Sequence, residues 1–425
     1  MDDHLKQNEG VPKFIRILII LLAFSSPLGI IQTSGYSIFF LMCLITIICL
    51  VVFRGTIKID NLFFLFILLL FVTTIYAHIN PINSAWTNRA TKGFISMVLI
   101  AFVYFLMNGD THKTELISAF RKGIGWIINL NIFWAVLQVI MYKLKTVDIN
   151  TIIFVDNLHV AEIGSKFYKG TTLVASGLHW HPANLAPLLV LGLLLNEKVW
   201  YKAIIIAVTL LTFSSTAILG VGVCLFLEIL FNSYSSLTTH NYRTITKKNL
   251  IGFFIGFLFL IVVLIILIKT GFTSQLADVT ESVTAKFNLT STDASANAHM
   301  DYYRYLPTIL NNTPILKTIF GYGYGCSGYA YSMLLGQYTY LDTWAVESDV
   351  VNNVLGMGIL NSFLLYTWIA FIGIKGAKLN YKYLIFIIVV IIQGVTYNIQ
   401  FDWVILLMCI LSTSIKNNVD FFSER

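Results

Sequence analysis

Charged side chains are scarce in this sequence. They make up 12% of its 425 residues, about half the share in a soluble domain, which excludes a soluble globular enzyme. Cysteine is used five times, at Cys43, Cys49, Cys224, Cys326 and Cys409. Their spacing fits neither a metal site nor a disulfide framework. Only Cys326 lies outside an apolar run, and it reads as a buried or incidental thiol rather than a nucleophile. The first residues, MDDHLKQNEGVPKFIR, place acids and a proline ahead of the first apolar run, unlike a cleaved signal peptide. No internal repeat and no low-complexity tract is present. The pI near 9.0 comes without a basic patch on a soluble face, so nucleic acid is not an expected partner.

What the chain has is apolar length. Hydrophobic residues form 57% of it and mean hydropathy is +0.78. A membrane-crossing helix needs about 20 apolar residues. Twelve candidate runs lie near 14–33, 36–53, 61–79, 94–109, 123–144, 182–196, 199–214, 217–234, 250–271, 350–374, 383–399 and 401–415. The expected fold is therefore all-α, with residues 1–425 forming a single polytopic integral membrane domain. The run around Ser214–Thr216 is compatible with a tight hairpin or a broken helix. Cytoplasmic loops retain Lys and Arg. With the N-terminus inside, 18 of the 28 cations fall in the short inside segments, at least two in each, so both termini are expected to be cytoplasmic. Two outside loops are long, 145–181 and 272–349, the second between the ninth and tenth runs and large enough to hold helices of its own. The stretch 110–122 has apolar residues at helical spacing and basic ends, as in an interfacial cytoplasmic helix.

Polar loops between membrane helices are where chemistry is expected. Arg304 opens a run, RYLPTILNNTPILKTIFGYGYG, in which Leu306, Ile309 and Leu310 form a helical stripe and Pro314 ends it. Its guanidinium suits bidentate phosphate binding; pairing with Asp301 or a lipid headgroup is the alternative. The glycines of GYGYG shape a turn, and the lysine of a phosphate-binding loop is missing. Glu347 and Asp349 lie two apart before a long apolar helix. One can serve as a general base, or the segment can simply cap the helix. Arg89 and Lys92 sit in NPINSAWTNRATKG, read as a short outside loop, where they hold an anion or anchor the interface. His179 and His181 precede Pro182; at i, i+2 they share no helix face, and stacking on sugar suits them better than a metal. His299, Tyr302 and Tyr303 are further candidates for lining a sugar groove, or packing.

These segments together resemble the O-antigen polymerase and ligase superfamily of bacterial envelope biogenesis. Arg304-x(3)-Thr308-Ile-Leu, then Pro314 and Gly321-Tyr-Gly-Tyr-Gly325, is similar to its Arg–helix–Pro–Gly-x-Gly-x-Gly pattern. Glu347-Ser348 followed by Gly358 resembles the motif opening the next helix. Gly177–Asn184, GLHWHPAN, is similar to its Gly-x-Phe-x-x-Pro-x-Asn helix start, and Phe213-Ser-Ser-Thr-Ala217 looks like its Ser-rich hairpin, with Ser215-Thr216 where the family has Ser-Arg. The ligases carry a His where Glu347 stands, which favours the polymerase (Wzy-type) branch. The resemblance covers nearly the whole chain. It implies a GT-C-like inner-membrane glycosyltransferase that joins undecaprenyl-pyrophosphate-linked repeat units at the periplasmic face. Arg304 and Arg89 would bind pyrophosphate, helped by Lys92, and Glu347 or Asp349 would be the base. His179, His181, His299 and Tyr303 would contact substrate. No cofactor or metal is implied, because the pyrophosphate lipid is itself the leaving group. Membrane lipid, a chain-length regulator and a flippase are the implied partners. A ligase acting on lipid A core and a repeat-unit flippase are the alternatives; the latter predicts matching halves and short outside loops.

Overall fold

The computed structural model of the protein describes residues 10–28, 31–33, 36–53, 56–79, 84–160, 168–169, 172–179, 181–238, 294–334, 346–399 and 401–423. It is helical throughout, apart from two short antiparallel ladders, Gln32–Thr33 with Tyr36–Ser37 and Tyr168–Lys169 with Thr172–Leu173. The helices are Lys13–Ser25 (α1), Ile38–Phe53 (α2), Asn61–Ile79 (α3), Ser84–Gly109 (α4), Lys113–Lys145 (α5), Ala186–Leu195 (α6), Val199–Leu211 (α7), Ser215–Thr238 (α8), Ala294–Asn312 (α9), Ile315–Phe320 (α10), Ser327–Leu334 (α11), Asp349–Gly376 (α12), Lys382–Thr396 (α13) and Phe401–Lys416 (α14).

Four of them, α3, α4, α5 and α12, are long and apolar enough to cross a membrane. Their surface chemistry agrees. Only a third of the apolar stretch of α3 is buried, yet Phe64, Leu65, Leu68, Phe71, Val72 and Ile75 face outward. A helix that is apolar all round needs lipid outside it. Shorter apolar helices α2, α7 and α13 pack beside the long ones. The main core joins α1 and α5 with α4, α6, α12, α13 and α14.

Three expectations change. Residues 14–33 do not form one helix: α1 ends at Ser25, after 13 residues, about 20 Å. Residues 110–122 are not a separate interfacial helix. From Lys113 they begin the 33-residue α5, with Leu116, Ile117 and Phe120 in the main core. Arg89 and Lys92 are not in a loop. Helix α4 starts at Ser84, and a buried stripe of Trp86, Ala90, Met97 and Tyr104 runs through both its polar start and its apolar body, at the spacing of one helix face. The segment around Ser214 is a three-residue turn with Phe213 at φ 44°. Within 272–349, helices α9, α10 and α11 are present. The ninth apolar run, 250–271, and the basic segment 239–249 lie outside the described residues.

Candidate functional site

Helix α12 is interrupted near its start. Gly358 has φ 81° and ψ 168°, a conformation open to glycine and costly to other residues. The interruption releases the carbonyls of Leu355 and Gly356, and lipid offers nothing to pair with them. The GYGYG turn does: the Tyr322 N–H donates to the Leu355 oxygen at 2.9 Å and the Gly323 N–H to Gly356 at 2.8 Å. The contact is close enough that a Cβ on Gly358 would stand 2.1 Å from the Ile319 oxygen, and one on Gly321 would stand 2.4 Å from that of Gly356. The glycine-rich turn therefore clips a discontinuous helix, and two of its N–H groups are spent there rather than on phosphate.

This clip fixes a second apolar cluster, separate from the main core. It includes Trp86 and Ala90 of α4, Ile309 of α9, Tyr322, Cys326, Tyr331 and Val346, with Tyr302, Tyr303 and Leu306 packed against it. The Trp86 indole donates to the Tyr322 oxygen at 2.6 Å. Cys326 is fully buried and its thiol donates to the Trp86 oxygen. Burial pushes that thiol up to about 12, so no thiolate forms near neutral pH and the nucleophile reading of Cys326 falls.

On this cluster the tripeptide Glu347-Ser348-Asp349 is gripped from three sides. Ser348 is the N-cap of α12, its hydroxyl accepting from the Val351 N–H at 3.4 Å. The Tyr303 hydroxyl meets Ser348 Oγ at 2.6 Å and donates to the Val395 oxygen at 2.7 Å. Tyr302 lies against the Glu347 backbone and in the field of its carboxylate. Burial, then the Glu347 charge, pushes the Tyr302 phenol up to about 12. Burial does the same to Tyr303. At neutral pH both phenols hold their protons, so of these groups only the carboxylate can act as a base. Tyr397 also lies within the field of Glu347, and the His181 ring stacks on it, centroids 4.3 Å apart and planes within 10°. His181 Nδ1 accepts from the Ala183 N–H, starting the short 3-10 turn Pro182–Leu185.

Asp349 is sealed off. It is 1% exposed; Oδ2 accepts from the Ile399 N–H at 3.3 Å, and Oδ1 has no hydrogen-bond partner among the described residues. Asp402 lies within electrostatic reach of it. The Asp402 carboxylate accepts from the Tyr324 hydroxyl at 2.6 Å and from Ser96 at 2.8 Å. Neither Asp402 nor Tyr397 was among the residues singled out from sequence. Asp402 had a signal, a lone carboxylate at the start of an apolar run. Tyr397 had none.

The sequence candidates are thus divided. Glu347, Ser348, Tyr302, Tyr303 and, through Tyr397, His181 come together. Arg89 stands on the second turn of α4 beside Gly325, whose Cβ position is 3.6 Å from Arg89 Cγ, and its charge reaches Cys326. Lys92 is exposed on the same helix. His299 lies on α9, three and four residues before Tyr302 and Tyr303. His179 is fully buried in the protein, not open to a substrate. Arg304 sits roughly 200° around α9 from Tyr302 and pairs with Asp301 at 3.0 Å, both side chains about one-third exposed. No known family model matches this sequence, and no curated protein matches it closely enough to count as a relative.

Proposed function

We propose that the chain is a membrane glycosyltransferase of the O-antigen polymerase kind, which joins polyprenyl-pyrophosphate-linked glycan units. The observation that carries this reading is the half-buried Glu347 at the start of a membrane-length helix, with Tyr302 and Tyr397 in the field of its carboxylate and His181 stacked on Tyr397. Aromatic faces beside a carboxylate suit a sugar and its hydroxyl. In the reaction, Glu347 takes the proton of the acceptor hydroxyl. That oxygen bonds to the anomeric carbon of the donor sugar, the bond from that carbon to the pyrophosphate oxygen breaks, and the lipid pyrophosphate leaves with the electron pair. Arg89 stabilises the departing anion from across the shared apolar cluster. Arg304 joins it if the pyrophosphate displaces Asp301.

In this reading the chain spans the membrane twelve times in a GT-C-like arrangement, with both termini in the cytoplasm and the Glu347 end of α12 in the periplasm of the inner membrane. Support comes from the placement of cations along the sequence and from the exposed apolar faces of the helices. Deleting the gene from a cell that makes smooth lipopolysaccharide should leave core bearing a single repeat unit. Bare core with long chains held on the lipid carrier would make the protein a ligase, and repeat units trapped on the cytoplasmic face would make it a flippase.

A further inference from the structure

The other end of α12 carries a recess. Beyond its break at Gly358 the helix runs on to Gly376, roughly 27 Å at about 1.5 Å per residue, so in the proposed topology this end lies at the opposite membrane face from Glu347. There α3 begins and α14 ends, and between them opens a cavity of about 470 Å³. Its walls are apolar, with Ile59 and Leu62 facing Trp368 and Phe371. Ile59 and Phe371 are half exposed. Two ammonium groups reach it, Lys375 from the last turn of α12 and Lys416 from the last residue of α14.

The carboxylate present does not neutralise both. Asp60 is paired with Lys416, accepts from the Tyr104 hydroxyl at 2.7 Å, and caps α3 through the Leu62 and Phe63 N–H groups. Lys375 rests over the Phe371 ring, Nζ 4.1 Å from its centroid, and makes no ion pair among the described residues. Lysines in a last helical turn also serve the free carbonyls there. That role explains a lysine at each helix end. It does not explain an open recess between them with an apolar wall.

We propose that this recess binds the headgroup of an anionic phospholipid of the surrounding membrane, its phosphate on Lys375 and Lys416 and its glycerol and first acyl carbons against Phe371 and Trp368. Basic pockets between membrane helices on the cytoplasmic side are suited to such headgroups, and the volume matches a small-molecule site. The site shares no residue with the proposed catalytic centre and stands without it.

The test is native mass spectrometry of the full chain, released from detergent containing equal amounts of phosphatidylglycerol and phosphatidylcholine. The protein should retain phosphatidylglycerol about five-fold more, the effect of ~1 kcal/mol near an anionic surface from Lys375 alone, because Lys416 is already paired with Asp60. Lys375→Gln should bring the two lipids to parity, and Lys375→Arg should keep the preference. Asn61→Glu is the control against misfolding. It adds a carboxylate to the rim of the cavity at the first residue of α3, where an acid stabilises the helix, and it should also abolish the preference. An unchanged preference in Lys375→Gln or in Asn61→Glu would overturn the proposal. So would release of the lipid by millimolar inorganic phosphate, which would make the recess a site for a free anion.

Discussion

Glu347 and Asp349 are two residues apart and differently placed. Glu347 is half-buried beside Tyr302, whereas Asp349 is sealed in with one oxygen on the Ile399 N–H. In the proposed reaction the base is therefore Glu347, while Asp349 holds the segment after α13 against the start of α12. Glu347→Gln should reduce chain growth by about 10²- to 10⁴-fold with expression and melting temperature unchanged. Asp349→Asn should keep measurable growth, and Asp349→Ala should lower the melting temperature because the Ile399 N–H loses its acceptor. Ladder lengths on a gel, next to detergent melting curves, separate the two. Tyr303→Phe removes the hydroxyl that bridges Ser348 and Val395; thermal unfolding should show a loss of about 1–2 kcal/mol. Arg304→Ala should shorten the ladder only if the Asp301 pair opens for pyrophosphate. A normal ladder from well-expressed Arg304→Ala would leave Arg89 as the cation of the site.

At the scale of elements, the GYGYG turn and the break at Gly358 form one unit. Gly358→Ala places a methyl group 2.1 Å from the Ile319 oxygen at a φ that disfavours a side chain. The strain is of order 1–3 kcal/mol before any clash is counted. The variant should melt earlier and lose activity together, and Gly321→Ala should behave alike because it meets the same seam. A wild-type melting temperature in both would show that the clip is not structural. At the far end of α12, Asp60 ties α3 to α14. Burial raises its carboxyl, but hydrogen bonds from Lys416, Tyr104 and the Phe63 N–H, with the Lys416 charge, outweigh it and hold it below the usual range. A depressed folded value means the tie contributes fully above the unfolded value of about 3.9 and is lost as pH falls below it. Melting between pH 6 and pH 3 should therefore drop for the native chain, and the drop should be smaller in Asp60→Asn. Much of this level was legible in the sequence. Uniform apolar runs located α2, α3, α12, α13 and α14 to within a few residues, because burial and lipid both demand them. The start of α4 was not, since Asn88, Arg89 and Lys92 made a helix look like a loop while Trp86 and Ala90 carried its buried face. Nor was the partner of the glycine turn, because pairing between residues 322 and 355 depends on a break in α12 that one glycine creates.

For the whole molecule, sequence indicated a membrane protein from charge scarcity and apolar length together, and the four membrane-length helices agree. It also pointed to the neighbourhood of Glu347 and Tyr303. It did not foresee that Tyr397 and His181 close on that neighbourhood from distant elements, for such contacts follow from helix packing rather than local spacing. The most direct test of the proposed chemistry uses the purified full chain in liposomes, supplied with undecaprenyl-pyrophosphate-linked repeat units and no other protein. Chains longer than one unit should form, undecaprenyl pyrophosphate should appear in step with each linkage, and Glu347→Gln should abolish both while the protein still binds the donor lipid. Absence of any linkage by the folded native chain, or full linkage by Glu347→Gln, would contradict a polymerase that works through this carboxylate.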